Sequence, residues 1–352
     1  MLAKIVPYPK TTFVFCYHRV IPTDLVISQC VHKTLYVTPE TFERHIKWMK
    51  EVGEIVSYDR LWEKGPGPRF VITLDDGWKD NYSYAFPILK KYNVPALIFI
   101  STSNIDQGKL FWFAEIGMLI KQSHKNPDDV SSTLQKMTSE AMKMLDVKDS
   151  TFINHEWSPK NKLYILDRFI ECLKALPPAE RDRLIDILYT SLGIPQSLSE
   201  NFLLSWNDIC SMMENGVSFG SHTHMHSILD KMDTDYIDKE LSISKKILEN
   251  RLCRKINTFS YPNGRFRNKL IQPSLRKYGY EFAFTLERSP VLSDTNPFLI
   301  PRCLVYESIA SDLIKYYWRL IIKHHGKEGF KKVKKVLANT KLVKTMPAEN
   351  CS

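Results

Sequence analysis

The sequence predicts an α/β protein, a barrel of parallel strands with helices outside and a helical insertion. Three observations point there. Short, continuously apolar runs alternate with helix-patterned stretches, the rhythm of βα units whose sheet is buried on both faces. Polar residues gather just past those runs, at His18-Arg19, Asp75-Asp76, His222, Pro262-Asn263 and Arg302, and in such barrels the C-terminal strand ends carry the site. From about residue 106 to 201 the strand signals stop and helical patterns take over.

The first strand is the run Phe13 to Tyr17, ending at His18-Arg19. A helix opens at Thr38, a suitable N-cap, with Pro39 in the first helical position and Phe42, Ile46 and Met49 at helical spacing. Gly65 to Pro68 punctuates the end of that unit. The strand Phe70 to Leu74 runs straight into Asp75-Asp76-Gly77; a helix from about Tyr82 to Tyr92 and a strand Val94 to Ile100 complete a βαβ unit. After the insertion, Ser205 with Asp208 forms a capping-box pattern for a helix to Glu214, with Gly216 past its end. Val217 to Gly220 is a strand leading to Ser221-His222, and a helix from Thr234 to Leu252 follows. Ile256 to Tyr261 and Glu281 to Leu286 are strands, and Leu299-Ile300 leads to Pro301-Arg302. The domain reading is a barrel over 1–310, carrying the insertion, and a basic helical extension over 311–352.

The chain of 352 residues is long enough for one large α/β domain with an insertion. Its seven cysteines are odd in number and scattered, with no CxxC pair, which excludes a zinc ribbon or a thioredoxin-like motif and points to a reducing compartment. The first residues lack the apolar stretch of a signal peptide, and no apolar run approaches the ~20 residues that span a bilayer. The expectation is a cytoplasmic protein, soluble or peripheral to a membrane. The net charge is +10, and between Lys315 and Lys344 ten basic residues face the single acid Glu328. Apolar residues such as Leu320, Phe330 and Val333 interleave with them, so this segment reads either as a basic amphipathic helix on an anionic membrane or as a solvated terminal helix. No nucleic-acid-binding motif accompanies the charge, and no nucleic-acid partner is expected.

Two features carry chemistry. Adjacent carboxylates at a buried strand end, Asp75 and Asp76, repel each other and lose hydration, a cost that a metal at one of them relieves. Neighbouring side chains in extended chain diverge, so one can ligate while the other acts as a base. Asp-Asp-Gly alone is also ordinary turn chemistry. The second feature is Ser221-His222-Thr223-His224-Met225-His226, three of the ten histidines within five residues. His222 and His226 share a face if that stretch is a helical turn, with His224 pointing away. Two such histidines and a remote carboxylate make a set with open positions, suited to zinc or a similar ion.

At these residues the sequence resembles the polysaccharide deacetylase, or NodB-homology, family. Thr73-Leu74-Asp75-Asp76-Gly77 is similar to its first motif, Thr-Phe-Asp-Asp-Gly, and His222-Thr223-His224-Met225-His226 to its second, His-Ser/Thr-x-x-His. Phe259-Ser260-Tyr261-Pro262-Asn263-Gly264 resembles the third, and Tyr17-His18-Arg19-Val20 the opening of a large subset. The resemblance spans about residues 13 to 306 apart from the insertion. It implies a distorted (β/α) barrel of about seven strands, Asp75 as general base, and Asp76, His222 and His226 as ligands of a divalent metal. Zn2+ is the first choice, with Co2+, Ni2+ or Mn2+ as alternatives. It also implies substrate and oxyanion contacts around Tyr261, Pro262 and the backbone N–H of Asn263.

The sequence departs from the family pattern in three places. Ser260 stands where many members carry the arginine that pairs with the base; Arg302 or Arg19 could replace it, and Arg302 is preferred because it follows a late strand and a proline. The late Leu-x-x-His motif is not evident, since His324 and His325 lie in the basic tail, so His18 is the candidate general acid, its alternative being a structural role at the barrel mouth. Asn263 replaces an aromatic residue, leaving Trp78, or Trp112 in the insertion, to stack on a sugar, although both aromatics also suit a core.

The reading is a metal-dependent hydrolase that removes an N-acetyl group from a sugar, in a polysaccharide or on a nucleotide or lipid carrier, in envelope or exopolysaccharide metabolism. Hydrolysis of another C–N bond, such as a formamide, and a non-catalytic carbohydrate-binding module remain as alternatives.

Overall fold

The structure is a computed structural model of the chain, and it describes residues 11–29, 32–122, 126–145, 162–193 and 202–310. The described residues fall into two compact units, one of 11–25, 32–108 and 202–310, the other of 26–29 and the described part of 109–201. The basic segment 315–344, and the whole of 311–352, lie outside the described residues.

The first unit is a distorted (β/α) barrel. Its strands are β1 (Thr12–Tyr17), β2 (Arg69–Leu74), β3 (Ala96–Ile100), β4 (Val217–Ser221), β5 (Thr258–Ser260), β6 (Phe282–Phe284) and β7 (Cys303–Leu304). They lie in the order β7-β1-β2-β3-β4-β5-β6, all parallel, and a short strand Glu54–Ile55 pairs with the start of β2. Every residue of β1, β2 and β3 is buried, which is why those strands are apolar nearly throughout rather than alternating.

The two edges of this curled sheet meet through residues 300–305. Ile300 pairs with Phe284 and exchanges backbone hydrogen bonds of 2.8 Å with Ala283 and Thr285, while the Val305 N–H donates to Cys16 O at 2.8 Å. The expected strand at Leu299-Ile300 is therefore a single bridge at Ile300, and the strand proper, β7, follows Arg302 rather than preceding it. Pro301 has no N–H to continue a ladder, and the chain crosses there from the β6 edge to the β1 edge.

Local rules account for the flanking helices. Thr38 caps helix Pro39–Val52 by accepting the Thr41 N–H at 3.2 Å, and the apolar stripe Phe42, Ile46, Met49 is buried. The helix expected over 82–92 is a wide turn, Asn81–Ala85, followed by helix Phe86–Tyr92; Pro87 cannot donate to the carbonyl four residues back, which breaks regular pairing at that point. The capping box of Ser205 and Asp208 is formed in full at helix Trp206–Met213. Helix Thr234–Leu252 starts at the N-cap Asp233 and buries Ile237, Glu240, Leu241, Ser244 and Leu248.

The second unit is helical in all its regular described structure beyond residue 108. Helices Trp112–Gln122, Pro127–Met144, Lys162–Ala175 and Pro178–Leu192 enclose a core that includes Leu119, Leu134, Phe169, Leu173 and Leu188. Trp112 packs against that core, with the Arg181 guanidinium 5.2 Å from its ring centroid.

Candidate active site

The strand ends bring Asp75 and Asp76 from β2, His222 from β4 and Ser260 from β5 to one end of the barrel, with His18 just past β1. The chain turns sharply at the carboxylates: Asp76 has φ 78° and Gly77 φ 75°, and a Cβ on Gly77 would stand 2.7 Å from Ile100 Cγ2. Glycine is required there by both the left-handed backbone and the close approach. The turn sends the two carboxylates to different partners.

Asp75, 2% exposed, receives a bidentate pair of hydrogen bonds from Arg302, Nη1 to Oδ1 at 2.6 Å and Nη2 to Oδ2 at 2.7 Å. Arg302 is itself fully buried, and its remaining donors go to Thr285 O, Thr73 Oγ1 and Ser260 Oγ. Ser260 thus accepts from the arginine at 2.8 Å and its hydroxyl lies 3.4 Å from Asp75 Oδ2, so it joins the same buried cluster as Asp75 and Arg302. Arg19 is committed elsewhere, to Asp80 at 2.7 Å. Burial would raise the Asp75 carboxyl, but the charge and hydrogen bonds of Arg302, together with the nearby His222 and His18, hold the group below the usual carboxylate value.

Asp76 faces the histidines. Its Oδ2 accepts the indole N–H of Trp78 at 3.0 Å, and its Oδ1 lies 3.2 Å from His226 Nε2 and 3.6 Å from His222 Nε2. The His222 Nδ1 sits 2.8 Å from Ser260 O, which fixes the tautomer with the proton on Nδ1 and the Nε2 lone pair turned toward Asp76. Burial holds His222 down at about 4, so its imidazole is neutral at pH 7, the state in which it can ligate. The two histidines converge from an irregular loop and not from a helical turn: Thr223 has φ 66° and His226 φ 55°. The bends bring the rings within 4.8 Å of each other, a proximity that an ideal helix would have supplied by spacing alone.

These three residues fit a divalent ion. One donor atom from each lies within 4.8 Å of the others, the set is two imidazoles and one carboxylate, and the buried Asp76 Oδ1 has no hydrogen bond among the described residues. His18, Cys16 and Asp75 form a second close group, and the His18 Nδ1 is buried without a hydrogen bond among the described residues. Asn263 occupies the left-handed position, φ 56°, of the turn Pro262–Gly264, with an exposed side chain.

Two aromatics expected at the substrate are turned to other uses. Trp78 is 1% exposed, its indole N–H tied to Asp76 and its ring 4.3 Å from the Arg19 guanidinium, so no face is left for a sugar. Tyr261 is buried with its hydroxyl donating to Phe298 O at 2.9 Å. Cys16 and Glu240 were not singled out by sequence reasoning. Cys16 lies two residues from His18 along a strand, hence on the same face, and Glu240 is a carboxylate on the apolar stripe of its helix; both signals were present in the sequence.

The chain belongs to the polysaccharide deacetylase family, whose model matches residues 63–136 and 123–283, more than half of its length. It is 22% identical over 291 residues to YxkH of Bacillus subtilis, whose name places it among the polysaccharide deacetylases, covering 81% of this chain and 71% of that protein. It is 30% identical over 129 residues to the poly-beta-1,6-N-acetyl-D-glucosamine N-deacetylase of Staphylococcus aureus, a match that covers 33% of this chain and 44% of the relative. The fold is similar to that of the Streptococcus pyogenes deacetylase PplD, solved in complex with acetate, with a TM-score of 0.54 at 15% identity over 87% of this chain and 96% of that one.

Proposed function

We propose that this chain is a metal-dependent hydrolase that removes the acetyl group from an N-acetylated sugar, with zinc as the metal. The observation that carries the reading is the pairing of an ion-binding trio, Asp76, His222 and His226, with a separate carboxylate, Asp75, held ionised by Arg302. The Staphylococcus aureus relative, named for deacetylating poly-β-1,6-N-acetyl-D-glucosamine, supports an N-acetylhexosamine substrate.

A divalent ion bound there supplies Lewis acidity, drawing charge from an acyl oxygen and making water acidic near neutral pH. Asp75 accepts the proton of the attacking water, and its bidentate grip by Arg302 fixes the direction in which it points. The backbone N–H of Asn263 is the donor assigned to the developing oxyanion. His18 is assigned to protonate the leaving amine, which departs too poorly as an anion. Acetate and a free amino sugar result.

The first test is metal content, wild type beside Asp76→Ala, followed by acetate release from N-acetylglucosamine oligomers. About one ion per wild-type chain, little in the variant, and acetate in the medium are the expected results. A wild type that takes up no zinc or cobalt would overturn the reading, and formate from an N-formylated sugar in place of acetate would reassign the acyl group. The charge of segment 315–344 suits a substrate on a phosphate-bearing or membrane-bound carrier.

A further inference from the structure

The loop that carries both histidine ligands is irregular, and two of its non-glycine residues, Thr223 and His226, hold left-handed backbone. Such conformations cost on the order of 1 kcal/mol or more each and persist only where the surroundings impose them. The surroundings are specific. The Glu240 carboxylate, 4% exposed on helix Thr234–Leu252, accepts the backbone N–H groups of His224 and Met225, both at 2.9 Å and both on the same oxygen, Oε2. From the other side, the Ser101 hydroxyl and the Ser103 N–H donate to His224 O at 2.9 and 2.8 Å, and Thr102 Oγ1 lies 2.9 Å from His224 Nδ1. His224, which is not part of the ion-binding trio, is therefore the point at which the loop is bolted to residues 101–103, just past β3, and to the helix Thr234–Leu252.

A carboxylate on the apolar stripe of a helix needs a reason to be there, because its burial is costly unless donors meet it. Two consecutive backbone N–H groups converging on one anionic oxygen are such donors, and charge-assisted bonds of this kind are stronger than neutral ones. We propose that Glu240 is a positioning residue for the metal centre: it clamps the 224–225 backbone so that His222 and His226 already stand at ligating separation before an ion arrives. The inference rests on the assignment of those histidines as ligands.

The test is calorimetric titration of zinc alone into the chelator-stripped full chain, with the thermal midpoint of each stripped protein measured alongside. Glu240→Ala is expected to weaken zinc binding about 10- to 100-fold, the range seen for groups that orient ligands. Glu240→Gln keeps an oxygen that accepts both N–H groups and is expected to bind within a few-fold of wild type. Should the alanine variant fail to fold, Glu240→Asp, which withdraws the same oxygen by one methylene, takes its place with the same two outcomes. Zinc binding by the alanine or aspartate variant within twofold of wild type would overturn the role of Glu240 while leaving the ligand assignment intact. A wild type that binds no zinc would bring down the assignment and the inference together.

Discussion

Asp75 and Asp76 are neighbours in sequence and opposites in circumstance. One is wrapped by a guanidinium; the other faces two imidazoles. Asp75→Asn is therefore expected to lower turnover about 100- to 10,000-fold while zinc content stays at the wild-type level, measured on the same preparation by rate assay and metal analysis. Arg302→Gln leaves a buried carboxylate with its counter-charge removed. Burial then dominates, the Asp75 carboxyl rises, and the acid limb of kcat/KM moves to higher pH, with a loss of about 3–5 kcal/mol in denaturant stability. An unmoved acid limb would show that Asp75 is not the titrating base. The grouping of Asp76 with His222 and His226 was legible because residue types and spacing both pointed to it. The arginine was harder to place, since its partner lies 227 positions away and only the crossing of the chain at Pro301 brings them together.

Strands and turns fix these groups through small residues. Gly220, in β4, has no room for a side chain: a Cβ would stand 2.8 Å from the Phe99 ring and would also meet the Thr258 hydroxyl. Gly220→Ala should cost about 1–3 kcal/mol of stability by overpacking, read from denaturant midpoints, and should widen the gap between β4 and β5 that Ser260 spans to reach His222. Element types were legible from periodicity, whereas their ends were not. The strand expected over 256–261 is shortened to Thr258–Ser260 because the Ile256 N–H is taken by the Glu249 carboxylate and Asn257 O accepts from Glu281 and Phe282. The histidine stretch has the spacing of a helical turn and is a loop instead, because Glu240, Ile100 at the end of β3, and Thr102 and Ser103 just past it supply its backbone hydrogen bonds from outside. The carboxylate at Glu240 on an apolar stripe marks a partner to be found, but no local pattern says that the partner is this loop.

At the scale of the molecule, the buried ionisable groups set a direction for stability against pH. His222 is lowered when folded, so the unfolded chain takes its proton first, and stability falls as pH drops from the ordinary histidine value near 6.5 toward about 4. Asp75 is also lowered when folded; its contribution is complete above the ordinary carboxylate range and is lost on further acidification. The His222 contribution falls within that window, so the metal-stripped protein is expected to lose stability, on the order of a few kcal/mol, between pH 7 and 4, measured by chemical denaturation at each pH. Asp80 and Glu240, whose carboxyls burial raises, offset part of this loss, and the Asp75 loss follows at lower pH. A flat profile would argue against a neutral buried His222. Among the described residues no helix is long and apolar enough to cross a membrane. The barrel class was legible from the βα rhythm, but the manner of its closure, by one bridge and a two-residue strand, is too short to leave a periodic trace.

The closing segment that carries Arg302 gives the site an order of assembly. Every candidate ligand has been synthesised by residue 226, and the strands bearing them, β2 and β4, flank β3 in the sheet interior. The counter-ion of Asp75 arrives 76 residues later, on the crossing that joins the two edges. A nascent chain halted between those points holds a complete donor set beside a carboxylate that lacks its guanidinium. The Asp75–Arg302 pair is thereby completed only at the last step of closure, and amide exchange at Ile300 and Val305, the two ends of that clasp, reports the fraction of molecules in which Asp75 has its counter-ion.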